Sequence, residues 1–133
     1  MVIIALDIGE RRIGVAVSDP SGTLATPYGI IERRSRSEDF AAIAQLVRKL
    51  GAQRVVVGLP ISVDGKIGSQ ARRVSRYARA LSRVLTVPVE MVDERYSTFI
   101  AQDLLAEAGR RNRAHVDAAA AAVILQEYLN HQT

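Results

Sequence analysis

Val2-Ile3-Ile4-Ala5-Leu6-Asp7-Ile8-Gly9-Glu10-Arg11-Arg12-Ile13-Gly14-Val15-Ala16-Val17-Ser18 runs from one apolar stretch through an acid and a turn into a second apolar stretch. Residues 2–6 are dominated by β-branched and aliphatic side chains and lack helical spacing, so they predict a buried strand. Residues 13–18 alternate and predict a second strand. A carboxylate closing the first strand loses water unless a cation or hydrogen-bond donors replace it, so Asp7 calls for a partner. Gly9 and Gly14 have no Cβ and permit a tight turn or a close backbone approach to a ligand. Taken alone, the stretch suits a simple hairpin, with Asp7 accepting turn amides, as well as it suits a functional site.

The rest of the fold follows outward from this pair. Asp19-Pro20-Ser21-Gly22 is a turn signal, and residues 23–31 predict a third strand, with Pro27 confining part of it to a sheet edge. Short links make these three strands an antiparallel meander. The pattern then changes. Phe40, Ile43, Ala44, Leu46, Val47 and Leu50 recur at helical spacing, with Ser37 expected as N-cap and Gly51 as the stop. Residues 54–60 form a short continuous apolar run, read as a strand buried on both faces, and residues 61–68 read as an exposed loop. A helix is expected over 69–85, with Ala71, Val74, Ala78, Leu81 and Leu85 inward and Arg72, Arg73, Arg76, Arg79 and Arg83 outward. A fifth strand is expected over 87–92. Ser97 or Thr98 would cap a further helix carrying Ile100, Ala101, Leu104, Leu105 and Ala108 and closed by Gly109. After the basic linker 110–115, a last helix from about Val116 to Leu129 aligns Asp117, Ala121, Ile124 and Tyr128 on one stripe. The expected fold class is α/β: one domain over 1–133, a five-stranded mixed sheet of a meander plus two parallel strands, and helices on both faces.

Composition narrows the function. At 133 residues, with 48% hydrophobic and 24% charged, the chain suits one globular domain with its own core. Zero cysteines exclude disulfides, thiolate metal sites and a thiol nucleophile. The N-terminal apolar run is too short and lacks the basic region of a signal peptide, no stretch reaches membrane-spanning length, and the cytoplasm is the expected location. The formal charge is +4, and among 18 basic residues only Lys49 and Lys66 are lysines. Arginine forms bidentate phosphate contacts better than lysine, although a run of charges also suits a merely solvated helix face.

In such sheets, sites gather where parallel strands end. Asp7, Asp117 and a carboxylate of the Asp93–Glu94 pair would converge there. Clustered carboxylates repel unless divalent cations neutralise them. Oxygen-only ligands point to Mg²⁺ or Mn²⁺ rather than zinc. Two such ions can activate water and stabilise an in-line phosphodiester displacement, so a metal-dependent nuclease uses most of the unusual residues at once, with the arginine helix beside the cluster serving the phosphate backbone.

Asp7-Ile-Gly-x-x-Arg-Ile-Gly-Val-Ala16, Val57-Gly-Leu-Pro60 with Asp64-Gly65, Asp93-Glu-Arg-Tyr-Ser-Thr98 and Asp117-Ala-Ala-Ala-Ala-Ala-Val-Ile-Leu125 together resemble the YqgF/RuvX family, relatives of Holliday-junction resolvases in the ribonuclease H-like superfamily. The resemblance spans essentially the whole chain. It implies a ribonuclease H-like fold, two roles (maturation of the small-subunit ribosomal RNA precursor and cleavage of branched DNA), and an acidic triad of Asp7, Glu94 and Asp117 holding Mg²⁺ or Mn²⁺, expected as a pair of ions. Candidate phosphate contacts are Arg12, Arg72, Arg73, Arg76, Arg79, Arg95, Arg110, Arg111 and Arg113. Glu10 and Tyr96 depart from the family pattern. Symmetric cutting of a junction would need a homodimer. His115 in its basic loop reads as a surface or phosphate-contacting residue, and Ser18 and Ser97 lack any adjacent His–acid arrangement for nucleophilic chemistry. Two rival readings are a non-catalytic nucleic-acid-binding protein and a phosphate-binding ATPase-like module. The latter fold duplicates its core, for which the chain has no room.

Overall fold

The computed structural model describes residues 1–60, 68–93 and 113–132, with the side chains of 113–115 set aside. Strand β1 (Ile3–Ile8) pairs antiparallel with β2 (Arg12–Ser18), and β2 with β3 (Ala25–Glu32). On its other side β1 pairs in parallel with β4 (Arg54–Leu59), and β4 with β5 (Val89–Asp93). The sheet order is β3-β2-β1-β4-β5. The expected meander and its two parallel additions are both present.

Asp7 sits within β1 rather than after it, because Asp7 and Ile8 continue the ladder opposite Gly14 and Ile13. Gly9 makes the turn, its N–H donating to the Arg12 carbonyl at 2.9 Å; a Cβ there would lie 2.7 Å from that oxygen. The next turn closes as read, with Gly22 at φ 71° and its N–H on the Asp19 carbonyl. The Asp19 carboxylate accepts from the Ser21 hydroxyl and the Leu24 and Thr23 amides, which hold its pKa down at about 2. Pro27 lies on edge strand β3, beside a register shift between Val15 and Ala16.

Helix α1 (Arg36–Leu50) starts two residues earlier than expected. Its N-cap is Ser35, whose hydroxyl accepts from the Glu38 amide at 3.1 Å, not Ser37. The Ser35-x-x-Glu38 spacing is that of a capping box, which Ser37 followed by Phe40 cannot form. Gly51, at φ 66°, ends the helix as read, and the Ala52 amide reaches back to the Val47 carbonyl. Helix α2 (Ser69–Val84) buries Ala71, Val74, Ala78 and Leu81 as expected, and also Tyr77. Strand β5 begins at Val89, after Pro88, which has no N–H for the ladder. Helix α3 (Arg113–Asn130) starts before Val116. The helix expected between β5 and α3 lies outside the described residues, as does most of the 61–68 loop.

The sheet separates two cores. On one face Ile4, Leu6, Ile8, Ile13, Val15, Val55 and Val57 pack with Phe40, Ile43 and Val47 of α1 and Val74, Tyr77, Ala78 and Leu81 of α2. On the other, Ile3, Ala5, Ala16 and Val56 pack with Ala121, Ala122, Ile124, Leu125, Tyr128 and Leu129 of α3. No helix among the described residues is long and apolar enough to cross a membrane.

Candidate active site

Alternation along β1 decides where Asp7 points. Ile4, Leu6 and Ile8 belong to the α1/α2 core, Ile3 and Ala5 to the α3 core, so Asp7 falls on the α3 face. Its register partner is Gly14. A Cβ on Gly14 would stand 1.9 Å from the Asp117 carbonyl oxygen and 2.5 Å from its carbon. No side chain fits there. Gly14 thus lets the first turns of α3 lie directly on β2, which brings the Asp117 backbone down beside the Asp7 position. The close approach that the glycine allows is to the chain's own helix rather than to a ligand.

The small residues of α3 serve the same end. Ala118, Ala119, Ala121 and Ala122 are buried, and their short side chains keep the helix axis near the sheet. Farther along, the Gln126 side chain accepts from the Ala25 amide and donates to the Thr23 carbonyl, both at 3.0 Å. Tyr128 donates to Glu90 at 2.8 Å and accepts from Arg54. Burial first, and then Glu90, pushes the Tyr128 phenol above its ordinary pKa. These bonds tie the C-terminal part of the helix to β3 and the segment before it on one side and to β4 and β5 on the other.

Asp7 is half-buried, and Asp117 retains 28% exposure. The Arg12 Nε donates to Asp117 Oδ2 at 2.7 Å. Arg12, expected as a phosphate contact, is therefore also the partner of a site carboxylate. Such a charge-assisted bond orients the carboxylate while leaving its other oxygen available.

Asp93 pairs with Leu59 across the parallel ladder, and Leu59 packs against the α1/α2 core. Side chains of register partners share a face, so Asp93 lies on the face opposite Asp7 and Asp117. Glu94, Arg95, Arg110 and Arg111 are outside the described residues, as is the Arg113 side chain. Among the described residues, no group of three or more His, Asp or Glu side chains gathers to hold an ion. The described site is thus a pair, Asp7 and Asp117, plus Arg12.

Arg72, Arg73, Arg76, Arg79 and Arg83 are all exposed, as expected. They are not beside the Asp7–Asp117 pair, however: α2 packs on the other face of the sheet. Periodicity defines an outward stripe but not which face of a sheet a helix covers. Two arginines unremarked in the sequence, Arg33 and Arg36, stand with Arg73 and Arg76 around a cleft at the end of β1. The basic run Arg33-Arg34-Ser35-Arg36 was the available signal. Buried Asp39, at 3% exposure, was also missed, since an acid in a first helical turn reads as a complement to the helix dipole. It accepts from the Tyr77 hydroxyl at 3.0 Å and the Arg34 amide at 2.9 Å. Burial, then this bond, raises the Tyr77 phenol well above its ordinary range. Ser18 accepts the Ile3 amide at 2.8 Å in a buried position, a structural role.

A central strand flanked by a meander on one side and parallel strands on the other, with carboxylates at the carboxyl end, defines a ribonuclease H-like α/β protein. The family model described as RuvX, Holliday junction resolvase, matches residues 1–131, and the chain belongs to that family. A relative from Synechococcus sp. (strain JA-2-3B'a(2-13)), provisionally named a pre-16S rRNA nuclease, is 46% identical over 132 residues, covering 97% of this chain and 78% of the relative. One from Chloroflexus aurantiacus with the same name is 44% identical, covering 97% and 86%. Among solved structures, Thermus thermophilus RuvC in complex with Holliday junction substrate superposes with a TM-score of 0.62 at 13% identity, covering 98% of this chain and 97% of that one. The fowlpox virus Holliday junction resolvase gives 0.59 at 11%, covering 98% and 99%. These superpositions carry the fold alone. The family description and the relatives' names agree on one class of activity, nuclease.

Proposed function

We propose that the chain is a divalent-metal-dependent endonuclease that hydrolyses phosphodiester bonds, acting in 5′-end maturation of pre-16S rRNA or in resolution of Holliday-junction-like branched DNA. The observation that carries this reading is the crossing at Gly14, which gathers Asp7 and Asp117 on one face at the carboxyl end of the parallel strands. Their donor atoms are carboxylate oxygens, hard ligands that fit Mg²⁺ or Mn²⁺. Asp7 and Asp117 would hold the metal, with Glu94 as third ligand. The choice of Glu94 over its neighbour is supported by Asp93 lying on the opposite face of the sheet. A bound ion, or a pair of them, supplies an activated water and stabilises both oxygens of an in-line displacement.

The chain's own residues do the rest. Arg12 fixes the rotamer of Asp117 and offsets part of the repulsion between the two aspartates. With 28% of its side chain exposed, its guanidinium has donors left for a substrate phosphate. Half-buried Asp7, on a central strand, presents its carboxylate from a rigid element, which suits a group that must hold its geometry through turnover. Cutting a junction symmetrically takes two copies, so a homodimer is the assembly proposed for that substrate.

The test is cleavage of a ribosomal RNA precursor, a flap and a four-way junction, each with Mg²⁺, with Mn²⁺ and with chelator. Metal-dependent cutting of at least one substrate is expected. Binding without cutting under every condition would instead favour a non-catalytic nucleic-acid-binding protein.

A further inference from the structure

The cleft at the end of β1 lies across the Gly9–Glu10 turn from the aspartate pair, on the α1/α2 side, and encloses about 210 Å³. Among the described residues four guanidiniums line it, from Arg33, Arg36, Arg73 and Arg76, against one carboxylate, Glu10. Arg33 is already committed. It donates to the Gly9 carbonyl at 2.7 Å, faces the buried Asp39 carboxylate at 3.7 Å, and lies 4.8 Å from the Tyr77 ring centroid. Asp39, Tyr77 and Arg33 therefore form a fixed wall. Arg36, 5.8 Å from the same ring, and Arg73 and Arg76 on α2 are exposed. Helix α2 has no acid in its first turn and no side-chain cap at Gly68, so its own first turn leaves the positive end of the helix dipole unanswered.

Guanidiniums gathered in a concave space repel each other, and a phosphate that accepts forked hydrogen bonds relieves that repulsion. Arg72, Arg79 and Arg83 project from α2 outside this lining, towards open solvent. We propose that the cleft is a phosphate-binding subsite, made by Arg36, Arg73 and Arg76, that takes a backbone phosphate of the nucleic-acid substrate on the face away from Asp7 and Asp117. The inference rests on the nuclease reading and adds to it a second backbone contact, on the face of the sheet opposite the aspartates. A strand held at both places must cross the Gly9–Glu10 edge of the sheet, so a nucleic acid bent or branched at the cut reaches both and a short straight strand does not.

Two matched pairs on one helix test this. Arg73→Gln/Arg76→Gln removes the cleft pair, and Arg72→Gln/Arg79→Gln removes the same charge from the outer face; neither touches the buried stripe. Affinity for a labelled four-way junction and for a short single strand is titrated in chelator across a salt series, with circular dichroism checking the fold. The cleft pair should lower the salt slope for the junction by about 0.9, the loss of one phosphate contact. The outer pair should lower it by less than half as much, and the single strand should distinguish the two pairs little. Equal slope losses, or a larger one from the outer pair, would overturn the subsite while leaving the nuclease reading intact. Wild-type protein that binds neither nucleic acid would remove the nuclease reading itself, and the subsite with it.

Discussion

The two faces of the sheet are packed on different principles. The α1/α2 face is filled with bulky side chains, among them Leu6, Ile13, Ile43 and Leu81, all at 1% exposure or less. The α3 face is alanine-rich where the first turns of the helix meet the sheet, with Ile124, Leu125, Tyr128 and Leu129 only farther along, and at Gly14 there is no room even for a Cβ. Large interdigitating residues hold helices off a sheet and bury much apolar area. Small ones let backbones touch. The first face is built to stabilise, the second to hold two carboxylates at a fixed approach, and substitutions on each should separate stability from chemistry.

The largest loss of stability should come from the bulky face. Leu81→Ala leaves a cavity among fully packed neighbours and should cost about 2–5 kcal/mol, read by denaturant unfolding. Cleavage per folded molecule should stay near wild type, because α2 touches neither aspartate. Lost cleavage at full folding would merge the roles of the two faces. Next comes Gly14→Ala. Its Cβ meets the Asp117 backbone, not a flexible side chain, so α3 must lift off β2. A stability cost near the upper end of the ~1–3 kcal/mol typical of overpacking is expected. Here cleavage should fall far more than stability, since shifts of about 1 Å in reacting groups can cost on the order of a hundredfold. A Gly14→Ala protein that cuts at the wild-type rate would show that this crossing does not set the site.

Much of this contrast was legible beforehand. Valine and isoleucine runs named the strands, and the stripe of Asp117, Ala121, Ile124 and Tyr128 announced the last helix and the face that carries Asp117. Gly14 stood out as a place of close approach, but not what approached it, because that contact joins residues more than a hundred positions apart. The face covered by α2 was not legible, since its stripe fits either side. Nor was the Asp39–Tyr77–Arg33 wall, whose members read singly as a dipole complement, a core aromatic and a surface charge. Only packing makes them one unit.

The central claim is that Asp7 serves chemistry rather than the turn beside it. Asp7→Asn preserves the shape of the side chain and removes its charge. Cleavage and binding should be measured on the same preparation, with Mg²⁺ or Mn²⁺ for cutting and chelator for affinity. If Asp7 helps hold a catalytic ion, cleavage should fall by orders of magnitude. The fold should survive, and affinity for nucleic acid should persist or rise with one repelling charge gone. A folded Asp7→Asn protein that cuts as fast as wild type would contradict the mechanism, and parallel loss of stability and binding would return Asp7 to a structural role in its hairpin.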